Sequence, residues 1–358
     1  MSSSTVWKVG IVGYGFSAKI FHIPFIQRSS NFRLHAVVQR NPSPGNDVTV
    51  DFPGVVSYQS AEDMVQDSTI DVIVITTPPN THFHLTKLAL DAGKHVVCEK
   101  PFTPTSAEAE ELVTLAKNQE RVLAVFQNRR WDADFATVSN LIESGTLGRI
   151  VEFETHYDRY RPEQPTNGSW KNQVMAGHGA IYDLGIHLLD QAVQLFGLPA
   201  RVTGVVGSQR EHTPAGLEDA FTVLLHYPGL LVTAKSTVVS AEEDQLRFWV
   251  RGDKGSYKKF HVDIQEEQLL AGMRPGDSGF AEEPSERFGT LVTVKDGRPS
   301  KSAFPTDKPP TYVAFYQTLA DALAGACRPA ASGEEARNTI RIIELARESS
   351  TLGRTLDF

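Results

Sequence analysis

Three groups of residues in this sequence have the types and spacings that chemistry needs. Lys100 follows the apolar run Val96-Val97-Cys98 and Glu99, and Pro101 comes next, so a lysine ends a buried strand where the following residue locks the backbone and aims the side chain. A cation fixed there can stabilise negative charge developing on a substrate oxygen. Asp183, His187 and Asp190 stand at i, i+4 and i+7, and on an α-helix they share one face. Histidine exchanges protons near neutral pH, which suits His187 to general acid/base work, and Asp183 suits the orienting of a substrate hydroxyl or of the histidine. The bland alternative is a core histidine satisfied by Asp183. The third group is Gly13-Tyr14-Gly15-Phe16-Ser17-Ala18, in which Gly13 permits a sharp turn, Gly15 lets the backbone approach a pyrophosphate, and Ala18 allows close helix packing.

The elements that must position these groups change character along the chain. Trp7 to Val12, Arg33 to Gln39, Ile70 to Thr76, Lys94 to Cys98 and Arg121 to Phe126 read as strands, with helices over Ser17 to Arg28, Thr81 to Asp91 and Ser106 to Asn118 between them. This alternation predicts a Rossmann-type, doubly wound parallel sheet in residues 1–127, with ligands at the carboxyl ends of its strands. Residues 128–358 predict an α+β domain with a large, mostly antiparallel open sheet, because alternating stretches such as Val151 to Tyr157, Phe221 to His226, Leu231 to Val239, Leu246 to Arg251 and Ser256 to His261 follow one another. Helices are expected over Gly179 to Phe196, Thr311 to Ala324 and Glu334 to Ser349, and a loop over Gly272 to Glu286.

The phosphate loop follows the first strand and opens a helix, the context in which such glycines bind a dinucleotide. The second strand ends in Gln39-Arg40-Asn41-Pro42-Ser43, with no acid to hold ribose hydroxyls; Arg40 can pair with a 2'-phosphate and Ser43 can donate to it, which selects NADP over NAD, the alternative being a solvated surface arginine. Thr76, Thr77, Pro78, Asn80 and His82 at the next strand end, with Glu99, Lys100 and Asn128, complete the expected cofactor site. No metal is expected, since His82 and His84 point to different faces of their helix.

With 358 residues, 41% hydrophobic and 22% charged, the chain is long enough for two soluble domains and has no membrane-spanning run. A net charge of -8 disfavours nucleic acid as the main partner. Only 2 cysteines, Cys98 and Cys327, and a start without basic and apolar signal regions favour the cytoplasm.

Taken in order, Gly13-x-Gly15-x-x-Ala18, Thr77-Pro78 with His82, Glu99-Lys100-Pro101 and Asp183-x-Gly185-x-His187-x-x-Asp190 resemble the Gfo/Idh/MocA oxidoreductase family over nearly the whole chain. Asn128-Arg129-Arg130-Trp131-Asp132, Tyr157-Asp158-Arg159-Tyr160-Arg161-Pro162 and Tyr182-Asp183-Leu184-Gly185 are similar to its NADP-dependent scyllo-inositol dehydrogenase branch. The resemblance implies hydride transfer between the nicotinamide and a carbinol or carbonyl carbon of a cyclitol or sugar. It implies Lys100, Asp183 and His187 as the catalytic set, a cis peptide before Pro101, and a homodimer or homotetramer. Arg129, Trp131, Tyr157, Arg159 and Tyr182, which flank the motifs, are the substrate-binding candidates beside Asp183 and His187. His178, which separates Gly177 from Gly179 where many relatives have consecutive glycines, departs from the pattern. The competing functions are an NADP-dependent aldose or dicarbonyl dehydrogenase or reductase, and a non-catalytic nucleotide-sensing regulator, which would have no reason to keep Lys100 and His187.

Overall fold

A computed structural model describes residues 5–164 and 173–358; the polar start, Met1 to Ser4, lies outside them. The chain forms two compact units, one of Met1–Asn128, Glu267–Phe280 and Pro310–Arg337, the other of Arg129–Glu266, Ala281–Pro309 and Asn338–Phe358. A single cut near residue 127 therefore describes only the first passage of the chain, since two later segments return to the first unit.

The first unit is built on β1 (Trp7–Val12), β2 (Phe32–Val38), β3 (Val56–Tyr58), β4 (Val72–Ile75), β5 (His95–Cys98) and β6 (Leu123–Val125). All pair in parallel in the order β3-β2-β1-β4-β5-β6. The order reverses between β1 and β4, the point at which a sheet of this kind binds ligands. β4, in the middle of the sheet, is apolar throughout; each of Val72, Ile73, Val74 and Ile75 is fully buried, worth about 1.5–3 kcal/mol apiece. The helix expected over Ser17 to Arg28 is present, but a wider π-type turn at Ala18–His22 precedes its regular part, α1 (Ile23–Arg28). Pro24 explains this, since it has no N–H to donate and its ring crowds the turn before it. α2 (Val48–Asp51), α3 (Ala61–Val65) and β3 are too short to show a period in the sequence. α4 (His82–Asp91) and α5 (Ser106–Asn118) lie close to expectation, α5 starting at a capping box in which Thr105 and Glu108 satisfy each other's backbone N–H groups.

The second unit contains α6 (Ala133–Glu143), β7 (Ile150–His156), α7 (Ile186–Phe196), β8 (Arg201–Gly207), β9 (Ala220–Tyr227), β10 (Leu230–Ser236), β11 (Leu246–Gly252) and β12 (Gly255–Phe260). After α8 (Gln265–Leu270) come β13 (Gly289–Lys295) and β14 (Arg298–Phe304), then α9 (Val313–Leu323) within the first unit, and finally α10 (Gly333–Leu352) and β15 (Leu356–Asp357). The sheet runs β14-β13-β12-β11-β7-β10-β9-β8-β15, antiparallel except for β7 beside β10. Alternate residues such as Val223, Leu225, Val232 and Ala234 are fully buried in one cluster with Ile186, Leu188, Leu189 and Ala192 of α7. One face of the sheet thus carries the helix that bears His187.

β5, which leads to Lys100, starts at His95, whose Nδ1 accepts a hydrogen bond from the Val122 N–H at 2.9 Å. Burial, then the charge of Arg121, depress its pKa from 6.5 to about 4. In the unfolded chain the ring protonates near 6.5, so its stabilising contribution is complete above that pH and is lost as pH falls from 6.5 through about 4. His95→Asn, which keeps an acceptor without the titration, is expected to lose less melting temperature between pH 7 and pH 4 than the wild type; equal losses would contradict this assignment.

Candidate active site

The turn after β1 fits a phosphate. Gly13 has φ +102°, and a Cβ there would stand 3.1 Å from Thr76 Oγ1, so glycine is required. At Gly15 a Cβ would meet nothing within 4 Å: space lies open beside the backbone where an anion must approach. Thr76 Oγ1 faces the carbonyls of Val12 (3.0 Å) and Gly13 (3.1 Å) and so holds the turn. Tyr14 donates its hydroxyl to Asp51 at 2.5 Å, and Lys19 lies 4.1 Å above the Tyr14 ring while donating to Asn46 Oδ1 at 2.7 Å. Phe16 is exposed, its ring 5.7 Å from that of Phe21.

Several predicted cofactor residues act on the protein itself. Gln39 is buried; its amide donates to the Asn46 carbonyl (2.7 Å) and accepts from the Val48 N–H (2.9 Å), so it braces the loop that presents Arg40 rather than facing a ligand. Arg40 is exposed, and Ser43 is paired with Asn46 through backbone hydrogen bonds of 3.0 and 2.8 Å. His82 is fully buried, with ring nitrogens 2.8 Å from the carbonyl oxygens of Pro101 and Thr77, and burial lowers its pKa. A neutral ring has one N–H, so His82 donates to one of these two carbonyls while it fills the space between the loops that end β4 and β5. Thr77 and Thr81 share a 2.6 Å hydroxyl contact, Pro78 accepts from Thr81 at 2.7 Å, and Asn80 is exposed.

At the end of β5 the Lys100–Pro101 peptide is cis. Glu99 is 8% exposed. Its carboxylate accepts from the Ser17 hydroxyl, lies 3.1 Å from His22 Nε2, and accepts from the Lys100 backbone N–H at 2.9 Å. Burial alone would raise its pKa; the His22 and Ser17 hydrogen bonds and the Lys100 charge outweigh burial and hold it low. Beyond β6, Gln127 and Asn128 are buried, and neither polar atom of the Gln127 amide has a partner among the described residues. A buried amide in that condition at the carboxyl end of a parallel sheet calls for a polar ligand. With the open space at Gly15, it makes these residues fit a dinucleotide.

In the second unit the expected helix begins as a wider turn, Ile181–Gly185, before α7, so Asp183 and His187 do not follow a regular α repeat. Gly185 lets Phe221 pack against this turn, since a Cβ there would stand 3.0 Å from the Phe221 ring. Polar bonds fix α7 in place. Arg130 donates to both oxygens of Asp190 at 2.6 and 2.7 Å, and Gln191 donates to the Arg129 carbonyl at 2.7 Å. The fully buried Arg247 donates to Gln191 (2.7 Å), Asp134 (2.8 Å) and Thr155 (2.9 Å).

Tyr157 accepts from Arg129 at 2.8 Å, and the Arg159 guanidinium lies 4.8 Å from its ring centre. Burial opposes the charge on Arg159, but Tyr157 and the Asp183 carboxylate favour it and raise its pKa. Arg129 also pairs with Asp132 and Glu266. Trp131 and Tyr182, the other two flanking aromatic candidates, are buried like Tyr157. Tyr182 belongs to the apolar cluster with its ring 5.9 Å from the Arg347 guanidinium. The sequence reading missed His22, Gln127, Gln191 and Arg247, which occur outside any spaced motif; Arg130 and Asp190 lay inside the quoted motifs but without an assigned role.

A Rossmann unit with a phosphate cradle, joined in one chain to an open-sheet α/β unit, defines a dinucleotide-dependent oxidoreductase class. The chain matches an oxidoreductase family's NAD-binding Rossmann fold over residues 7–127 and its C-terminal alpha/beta domain over residues 139–358; it belongs to the Gfo/Idh/MocA family. It is 44% identical over 295 residues to an uncharacterized oxidoreductase of Schizosaccharomyces pombe, covering 80% of each chain. It is 35% identical over 350 residues to the scyllo-inositol 2-dehydrogenase (NADP(+)) IolW of Bacillus subtilis, covering 98% of this chain and 95% of that one. The solved structure of the oxidoreductase YvaA of Bacillus subtilis aligns with a TM-score of 0.93 at 33% identity, covering 100% of both chains.

Arg247→Met leaves the buried Asp134 without its cation and frees Gln191. It is expected to destabilise the protein by about 3–5 kcal/mol in denaturant unfolding, with much of the loss recovered by the Arg247→Met/Asp134→Leu double variant. A loss below about 1 kcal/mol would show that the pair does not hold this region.

Proposed function

We propose that this protein is an NADP(H)-dependent dehydrogenase that moves a hydride between the nicotinamide and a carbinol carbon of a cyclitol or sugar of the scyllo-inositol type. The observation that carries the proposal is Lys100, which leaves β5 at the carboxyl edge of a parallel sheet with its backbone pinned by Glu99. The IolW relative supports both the coenzyme and the substrate class. The end of β2 supports the coenzyme further, since it offers the exposed Arg40 and no acid.

The nicotinamide, when bound, supplies the carbon that accepts or gives the hydride. His187 takes the proton from the carbinol oxygen in oxidation and returns it in reduction. Lys100 stabilises the negative charge that develops on that oxygen. Asp183 orients a neighbouring hydroxyl, and its charge favours that of Arg159. Arg129 and Tyr157, whose side chains bond to each other, lie beside Arg159.

His187→Ala and Lys100→Ala are each expected to slow turnover of scyllo-inositol, or of the fastest compound in a panel of cyclitols and sugars, by about a hundredfold to ten-thousandfold, while NADPH still binds. Near-normal rates in both would overturn the mechanism. Michaelis constants for the two coenzymes test the other half: Arg40→Ala should raise that for NADP and leave that for NAD nearly unchanged, and a wild-type preference for NAD would overturn the coenzyme assignment.

A further inference from the structure

We infer that His22 and Tyr316 are positioning residues for Lys100, acting through Glu99; the inference rests on the catalytic role proposed for Lys100. His22 is fully buried, and each of its ring nitrogens has a partner: Nδ1 lies 2.7 Å from the Tyr316 hydroxyl and Nε2 lies 3.1 Å from Glu99 Oε1. Because the Glu99 carboxylate can only accept, Nε2 carries a hydrogen and donates it. In the neutral ring, Nδ1 then accepts from the Tyr316 hydroxyl, which burial keeps protonated. The chain of contacts runs from Tyr316 through His22 to Glu99.

Glu99 divides its oxygens between two tasks. Oε1 takes the bonds from His22 and from Ser17, at the start of the phosphate-loop helix; Oε2 takes the bond from the Lys100 backbone N–H. A carboxylate held at one oxygen cannot turn without moving the acceptor offered by the other. His22 and Tyr316 thus fix the peptide from which Lys100 projects, although neither touches its ammonium in the bonds described. The surroundings make the chain stiff. The Phe126 ring lies 4.2 Å from the His22 ring, Phe32 lies 5.6 Å from Tyr316, and Phe315 packs on Phe126 at 4.8 Å. In such an apolar cage each hydrogen bond is stronger and a lost one is costlier.

Tyr316 stands 294 residues from His22, on α9, one of the segments that return to the first unit. Supplying this hydroxyl to the interior of the Rossmann unit gives that returning segment a task beyond packing. Both nitrogens of a buried ring need partners, and here one of those partners is the carboxylate beside the reacting lysine.

The test uses the full-length enzyme and the variants Tyr316→Phe, which removes one oxygen atom, and His22→Asn. Melting temperatures are measured alongside to show that the variants fold, and NADPH dissociation constants are read from its fluorescence. Hydride transfer is followed in single turnovers with scyllo-inositol, or with the fastest compound of the panel, so that slow rates remain measurable. Each variant is expected to slow hydride transfer by about tenfold to a hundredfold, the effect of a small displacement of a catalytic group, while the NADPH dissociation constant changes less than about threefold. In a Lys100→Met background the same substitutions should change the rate less than about twofold, because the group they position is gone. Wild-type rates in both single variants, an undiminished effect in the Lys100→Met background, or a loss of NADPH binding that accounts for the slower rate would each overturn the inference. If Lys100→Met itself turned over at the wild-type rate, the proposed role of Lys100 would fail instead.

Discussion

A carboxylate moved out of water must be matched by donors and positive charge or give up its ionisation, and Glu99 shows what that demand does to a fold. Its donors come from the helix that follows the phosphate loop and from the strand end that carries Lys100. The protein itself replaces the lost hydration shell, so the elements that supply it cannot move independently. The turn that fits a phosphate and the residue proposed to stabilise an alkoxide therefore share one anchor. At the next loop the buried His82 ring lies between the carbonyls of Thr77 and Pro101 and donates to one of them.

The second unit applies the demand more densely. Asp132, Asp134 and Asp263 are buried in the same region as Arg129 and Arg247, three acids against two guanidinium groups. Burial and the charge of Asp134 push Asp263 up to about 6, and burial with the charge of Asp263 raises Asp132. Protonation of Asp263 can thus relieve the excess negative charge without breaking either ion pair. Arg247 meanwhile reaches Gln191 and Arg130 reaches Asp190, so the balancing of buried charge also sets the placement of α7.

The sequence made the architecture legible where periodicity was long. The apolar runs of β1, β4 and β5, alternating with helical stretches, read as strands of a parallel sheet, and the polar-apolar alternation in β7, β9 and β10 reads as a half-buried sheet. It failed at β3, α2 and α3, which span three to five residues, and at β14, where Arg298 to Ala303 are all exposed and no apolar alternation exists. α6 was also missed, although its buried Phe135, Val138 and Leu141 carry a helical spacing. Within the site, Gly13, Gly15 and Lys100 could be read because their roles are local to the backbone. Gln39 and His82 could not, since whether such a side chain meets a ligand or the interior depends on residues beyond its own motif. Tyr316 beside His22 is the extreme case, with no motif in either segment to announce the contact.

The two kinds of interior do different work. The apolar clusters supply most of the stability, and such packing tolerates volume-conserving exchange at modest cost. It does so because dispersion and the hydrophobic effect have no preferred direction. Hydrogen bonds have narrow angular preferences, and breaking one partner of a buried pair strands the other. A site that needs a nitrogen placed to within a fraction of an ångström is therefore better served by buried polar ties than by more apolar volume. In this chain such ties include His22 and Glu99 beside Lys100, Asp190 and Gln191 along α7, and Lys259 with Glu283 elsewhere. Beside Lys100 the effect of such ties is specific: the Glu99 carboxylate that accepts from His22 also accepts from the Lys100 backbone N–H.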